Sequence, residues 1–299
     1  MKLKFELIET KDGLVVVGGE DGEEQLIIPS EQVFEEKTYL VTEIRAGAFS
    51  SCQNTKEIII PKTIRWIDGD AFASSGLEKI CVADDNPFYC SINGIVYNKS
   101  QTVLVAAAPL LARDMLVVPD GVQKIAEGAF RDCVYLTDII LPESLVIIGD
   151  DAFSGCHRLT AIDIPDSVTK IGESCFNDCK KLKVVSLSKG LTEITFGVFA
   201  SCDELRRITI PHGIKVLGEC AFDACNSLIE VILPDTLEEI ESFALGECYG
   251  LYSITIPSSV KRIDESAFDS SEFLQEITIA DPGLLKDVWL PDNVEIVKP

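Results

Sequence analysis

Phenylalanine returns every 23 residues along most of this chain, and that periodicity excludes most folds. Ala48-Phe49, Ala71-Phe72, Ala129-Phe130, Ala152-Phe153, Ala221-Phe222 and Ala267-Phe268 align, and Cys175-Phe176, Val198-Phe199 and Ala244-Leu245 fill the intervening steps. Nine units share one register. Every step from Phe130 to Phe268 is 23, as is Phe49 to Phe72, while Phe72 to Phe130 is 58, read as one repeat plus an insertion of 35. A fixed period of this size is the signature of stacked repeats, in which each unit buries its apolar face only against its neighbours.

Other columns keep the step. Cys stands three residues after the Phe place at 52, 133, 156, 179, 202, 225 and 248, with Ser75 and Ser271 in the remaining two. An Ile-x-Ile-Pro segment follows, as in Ile162–Pro165, Ile208–Pro211 and Ile254–Pro257. Alternation puts two side chains inward and one outward, which is a strand, and Pro ends its ladder for want of an N–H. A second short apolar pair, such as Val168 and Ile171 or Val260 and Ile263, predicts another brief extended run, with Gly149, Gly172 or Gly218 where the backbone turns. Phe, with Cys three and Leu six residues on, predicts a short helical or 3₁₀ turn facing inward. At roughly 4.8 Å per coil, nine coils span on the order of 40 Å.

These residues resemble the BspA-like, or Treponema pallidum-type, leucine-rich repeats. Leu159 to Cys179 follows that pattern, L-x-x-I-x-I-P-x-x-V-x-x-I-G-x-x-A-F-x-x-C, almost throughout, and the likeness runs over about residues 26–280. The resemblance implies a β-rich α/β solenoid, a right-handed leucine-rich-repeat superhelix with a β-hairpin insertion. It also implies a role binding proteins or surfaces, often as a secreted or cell-surface adhesin, and no reaction. The expected organisation is an N-terminal β-hairpin cap over 1–45, a solenoid over 46–279 and a partial repeat or cap over 280–299. Within the cap, strands at Leu14–Val17 and Leu26–Ile28 are expected to form the hairpin around Gly18-Gly19. Asn93-Gly94 between Ile92 and Ile95 is a strong two-residue hairpin signal, so an inserted β-meander is expected over 86–106, on the flank of the solenoid.

Composition narrows the partners. Lys plus Arg is 26 against 49 Asp plus Glu, a net charge of −23. Such a surface repels nucleic acid and anionic lipid, and self-repulsion keeps an open-edged protein soluble. No apolar stretch approaches the roughly 20 residues that span a bilayer, so no membrane insertion is expected. The segment Met1–Gly13 lacks the continuous apolar run of a secretory signal, which makes a cytoplasmic location the alternative to the surface one.

The eleven cysteines are expected to stay reduced. Stacked side chains point in parallel rather than at one another, Ser replaces Cys in the column, and no Cys-x-x-Cys pair offers a zinc site. Weak S–H bonds to turn carbonyls suit the column; Cys175 is expected to be packed, and Cys81, Cys90 and Cys220 to be accessible. His157 and His212 fall at positions of freely varying polarity, hence at the surface. The acid pairs Asp84-Asp85, Asp150-Asp151 and Glu238-Glu239 lack a calcium-loop pattern, and Gly18-Gly19 lacks the Lys-Ser or Lys-Thr of a phosphate loop. No catalytic residue, cofactor or metal is expected. The candidate partner surface is the outward strand column, including Asp163 and Glu230, and the basic cluster Lys180, Lys181, Lys183, Arg206 and Arg207, with Glu204 stacked beside Lys181. Trp66, Val146 and Ile147, on the second strand, are the candidates for an exposed apolar patch. The partner is expected to be another protein or a cell-surface ligand. A structural, self-associating scaffold is the alternative function, and the oligomeric state is open.

Overall fold

Identical buried side chains recurring at the inter-coil distance stack on one another, and the phenylalanines do so here. The computed structural model describes residues 3–10, 12–20, 22–111, 115–292 and 294–299. The rings of Phe130, Phe153, Phe176, Phe199 and Phe222 form one file with centroids 5.1, 5.2, 5.4 and 5.4 Å apart and planes within 9° of parallel. Phe49 and Phe72 form a second stack at 5.5 Å. All seven are buried, and the chain is a β-solenoid of stacked parallel coils.

Each coil contributes a strand to two parallel rows. The front row contains Glu57–Ile60, Lys79–Val82, Met115–Val117, Asp138–Ile140, Ala161–Asp163, Val184–Ser186, Arg207–Thr209, Glu230–Ile232, Ser253–Ile256 and Glu276–Ile279. Its middle side chains, such as Ile162, Ile208 and Ile254, are buried while their neighbours face solvent, as the period of two requires. Pairing holds the 23-residue register, with Ala161 beside Val184 and Arg207 beside Glu230. The side row consists mainly of two-residue strands, including Trp66–Ile67, Lys124–Ile125, Ile147–Ile148, Lys170–Ile171 and Val216–Leu217. Gly149, Gly172 and Gly218 follow that row without positive φ. Close approach is what demands them: a Cβ at Gly149 would sit 2.5 Å from the Glu127 nitrogen, and one at Gly172 would sit 2.3 Å from that of Asp150.

The third side corrects the expectation of helical turns and, with it, the α/β description. Among the described residues the one helical element is the 3₁₀ turn Pro282–Leu285. Left-handed residues flank the Phe place in coil after coil: Gly128 and Asp132, Ser174 and Asp178, Gly197 and Ser201, Cys220 and Ala224 all take φ between 51° and 61°. The alternation turns the N–H groups outward along the stack. Gly128, Phe130 and Asp132 donate to the carbonyls of Asp150, Ala152 and Ser154 in the next coil, at 2.8, 2.8 and 2.9 Å. A helix would spend these donors within its own coil; here they join coils, and non-glycine residues accept the left-handed strain for it.

The insertion is not on the flank. Tyr89–Ile92 and Ile95–Asn98 pair antiparallel through Asn93-Gly94, both at positive φ (54° and 84°), which is the type I′ turn. Ile95–Asn98 continues antiparallel to Val103–Ala107, and that strand enters the side row in parallel with Lys124–Ile125. The inserted strands form a wall inside the solenoid: Ile95, Tyr97 and Leu104 belong to the large core on one side, Val96 and Val105 to the smaller core on the other. The Ala107 N–H donates to the Ala129 carbonyl at 2.7 Å, as that of Phe130 does to Ala152. Ala107 thus holds a tenth register place, 35 residues after Phe72 and 23 before Phe130. One coil is lengthened by 12 residues, rather than a 35-residue piece being added to a repeat.

At the N-terminus, Leu14–Gly19 pairs antiparallel with Leu3–Leu7 and not with the segment around Leu26. Gln25–Ile27 already lies in the front row beside Glu57–Ile60, and Lys37–Ile44 pairs with Trp66–Ile67 in the side row. At the other end Glu295–Val297 adds a further parallel strand beside Glu276–Ile279.

Candidate interaction face

The sulfur column gathers most of the chain's thiols in the core. The Sγ of Cys156, Cys179, Cys202, Cys225 and Cys248 each donate to the carbonyl of a Phe one coil back, from Phe130 to Phe222, at 3.1–3.3 Å. The same carbonyl accepts the backbone N–H of its own coil's Cys, as Phe130 accepts from Cys133 at 3.0 Å, so both lone pairs are used. Ser271 makes the equivalent bond to Leu245 at 2.7 Å, which explains why the column takes Ser or Cys. Burial pushes these thiols up, Cys225 to about 12, and removes them from nucleophilic chemistry. None of the eleven cysteines is in a disulfide; Cys81, Cys90 and Cys220 are half-buried and the other eight, Cys175 among them, are buried.

Both histidines lie at or near the surface, each against an aspartate. His157 Nδ1 lies 3.1 Å from the Asp178 carbonyl, and His212 Nδ1 lies 2.8 Å from Asp235 Oδ1. The second pair is 76% and 84% exposed, and among the described residues no hydroxyl or thiol hydrogen-bonds the imidazole. The depressions of the surface are open and shallow strips between coils. One is lined by Val185, Leu187, Lys189, Thr209, Pro211 and His212, another by Arg207, Glu230, Ile232, Ser253 and Thr255. Among the described residues no group of three acidic, His or Cys side chains is arranged to hold a metal, and no helix is long and apolar enough to cross a membrane.

The seven candidate surface residues divide between two rows. Asp163, Arg207 and Glu230 stand on exposed positions of consecutive or near-consecutive front strands, and Lys183 and Arg206 each lie one residue before such a strand. Trp66 and Ile147 belong to the side row, so the structure does not bring them to the other five. Ile147 is only half-buried rather than exposed, while Trp66 is exposed and its Nε1 donates to Asp68 at 2.8 Å. The basic cluster is largely neutralised from within. Arg207 pairs with Glu230 at 3.2 Å, Lys180 with Asp178 at 3.4 Å, and Glu204 pairs with Lys183 at 3.0 Å instead of with Lys181. Exposed pairs of this kind contribute little stability, but they offset three of the cluster's five cations.

What stands out on the front row is apolar. Met115 (59% exposed), Val117 (55%) and Ile140 (51%) project from adjacent strands, Val117 directly beside Ile140. Val184 and Ile232 extend the same face further along. Met115 and Val117 belong to the coil that begins at Ala107. The signal for that coil was present: Leu116-x-Val118-Pro119 followed by Val122-x-x-Ile125 repeats the strand pattern without a Phe. Nearer the N-terminus, Glu57 accepts from Lys79 Nζ (2.7 Å), Cys81 Sγ (3.1 Å) and Gln25 Nε2 (2.6 Å), which lowers its carboxyl to about 2. Burial and that same carboxylate raise the Cys81 thiol, so the contact is structural rather than activating.

The comparisons with known proteins agree with this architecture. The profile of the BspA type leucine rich repeat region matches residues 33–99, 114–225 and 192–287. No curated protein matches the chain. A leucine-rich repeat protein from Eubacterium ventriosum is 28% identical over 77% of this chain and 62% of its own, with a TM-score of 0.69. One from Bacteroides ovatus is 26% identical over 100% of this chain and 66% of its own, with a TM-score of 0.58. The chain therefore spans less than two thirds of the length of these two proteins. The pneumococcal vaccine antigen PcpA, 15% identical over 99% and 96%, shares the fold at a TM-score of 0.60. Leucine-rich repeats are generally protein-binding scaffolds and typically non-catalytic, and BspA-like proteins are often secreted or on the cell surface. With well over half of its residues covered by the family profile, the chain belongs to the BspA-type leucine-rich repeat family.

Proposed function

We propose that this chain is a non-catalytic, adhesin-like module, secreted or displayed at a cell surface, that docks a partner protein on the outer face of its front row. One observation carries the reading: apolar side chains with no structural duty stand in solvent on a parallel sheet whose opposite face is the core. Met115, Val117 and Ile140 are exposed although every buried register place of their strands is already filled. A contiguous exposed apolar patch on a rigid scaffold is the common mark of a protein interface. Stacked short coils supply the rigidity. The alternative of a self-associating scaffold is disfavoured by the charge of −23, which opposes the approach of a second copy.

Saturable binding to a panel of immobilised extracellular-matrix and serum proteins tests this, with Met115→Asp/Ile140→Asp as the control. The wild type is expected to bind at least one member and the variant to bind at least tenfold more weakly with unchanged melting. Equal binding by both, or binding to none, refutes the proposed face. Sedimentation that grows with concentration would favour the scaffold instead.

A further inference from the structure

Ion pairing across coils follows a rule on this solenoid, and the C-terminal end of the front row breaks it. Where both members of a strand-register pair elsewhere are charged, they carry opposite charge: Glu57 beside Lys79, Arg207 beside Glu230, Glu239 beside Arg262. Glu276 and Glu295 are register neighbours of like charge, the one such pair among the described residues. Like charges directly opposite one another on a sheet are destabilising. Glu272 and Asp292 line the same open depression, and none of the four carboxylates has a cation within 4.0 Å among the described residues.

Exposed aromatic rings meet at the same place. Tyr252 and Phe273 line the depression with the acids, their centroids 6.4 Å apart and planes inclined by 53°. Tyr249 adds a third exposed ring, edge-on to Phe273 at 6.4 Å and 81°. Ring faces and carboxylates recognise the same object in complementary ways. A guanidinium or ammonium stacks on the negative face of a ring while its N–H donors reach a carboxylate.

We propose that this aromatic and carboxylate platform is a receptor for an arginine- or lysine-rich segment of a partner protein. The proposal rests on the protein-binding reading above and gives it a partner chemistry at a second surface. Charge complementarity argues for this occupant: a cationic segment relieves the Glu276–Glu295 repulsion, whereas nucleic acid and anionic lipid would increase it. A divalent ion is the poorer fit, because these carboxylates form no metal-holding group.

Calorimetric titration of the full chain with an eight-residue oligo-arginine peptide at low salt tests it. Tyr252→Ala/Phe273→Ala leaves the net charge unchanged and is expected to weaken binding about tenfold through lost cation–π contacts. Glu276→Gln is expected to weaken binding about fivefold while raising the melting temperature, because it removes a like-charge neighbour. A merely structural carboxylate would not move both readouts in opposite directions. Glu173→Gln/Glu219→Gln, two exposed acids of other coils, is the control for diffuse attraction to an acidic protein and is expected to change affinity less than twofold. Binding by the aromatic double variant within twofold of wild type, an equal loss in the acid control, or no binding by the wild type would each overturn the proposal. Met115→Asp/Ile140→Asp is expected to bind the peptide normally, so failure here and failure of the Met115 face remain distinguishable.

Discussion

Removing one ring from the middle of the phenylalanine file should cost more than removing a buried phenylalanine that stacks on no other ring. Phe176 is fully buried between Phe153 at 5.2 Å and Phe199 at 5.4 Å. Truncation to alanine leaves a cavity that the hydrogen-bonded coils cannot close, and Phe-to-Ala changes in cores cost about 3–5 kcal/mol. Of that, stacking accounts for about 0.5–1.5 kcal/mol per ring pair, and Phe176 loses two pairs. Phe268 is equally buried but follows Leu245 and stacks on no ring among the described residues. Phe176→Ala should therefore exceed Phe268→Ala by about 1–3 kcal/mol. The two tryptophans provide the assay, Trp66 beside the smaller core and Trp289 beside the larger one that contains Phe176. In urea titrations of Trp66→Phe and Trp289→Phe backgrounds, Phe176→Ala should lower the midpoint seen by Trp289 and leave that seen by Trp66 nearly unchanged. Equal costs for the two phenylalanines would refute the stacking argument. Equal shifts at both tryptophans would refute the division of the core by the inserted wall.

Four further outcomes are expected. Thiol titration without reductant should count eleven free thiols in denaturant, of which only Cys81, Cys90 and Cys220 react in the native protein; fast reaction of a column thiol would contradict its burial. Cys202→Ala should cost about 1–2 kcal/mol by deleting the bond to the Phe176 carbonyl, and Cys202→Ser less than half of that, as Ser271 shows a hydroxyl can take the role; equal losses in chemical denaturation would contradict it. Asp223 is half-buried beside Glu247, and its carboxyl is raised to about 6 from an ordinary 3.8. The folded protein holds that proton more tightly than the unfolded one, so stability falls as pH rises from about 4 to 6. Asp223→Asn should add about 1–2 kcal/mol at pH 7, discounted for partial solvation, and nothing at pH 3.5; a gain independent of pH would contradict the assignment. Gly149→Ala should destabilise by about 1–3 kcal/mol through contact with the Glu127 backbone, read by thermal melting, and a neutral result would deny that close approach.

The repeat, the inward and outward sides of its strands and the hairpin at Asn93-Gly94 were legible because each rests on local pattern. The third side was not. Asp132, Ser174, Asp178 and Ser201 carry no glycine signal for left-handed backbone, and their conformation follows from hydrogen bonds to a coil 22 residues on. The buried position of the insertion escaped for a related reason: Ala107 replaces the Phe by which the register is counted, and the apolar run Ile95–Tyr97 reads equally well as surface hairpin or core wall. Of the candidate face, the partner of Arg207 was predictable by adding one repeat to reach Glu230. Lys183 instead crosses columns to Glu204, a choice of rotamer that periodicity does not encode. Met115 and Val117 were readable from their strand pattern once the Phe was no longer required.

Distances between spin labels on the front row test the stacking directly. With Cys81, Cys90 and Cys220 replaced by serine, one label at Asp163→Cys and a second at position 232, 255 or 278 lie three, four and five coils apart. In-register stacking predicts separations near 14, 19 and 24 Å, rising by about 4.8 Å per coil. Separations that do not grow with the number of coils would contradict a solenoid.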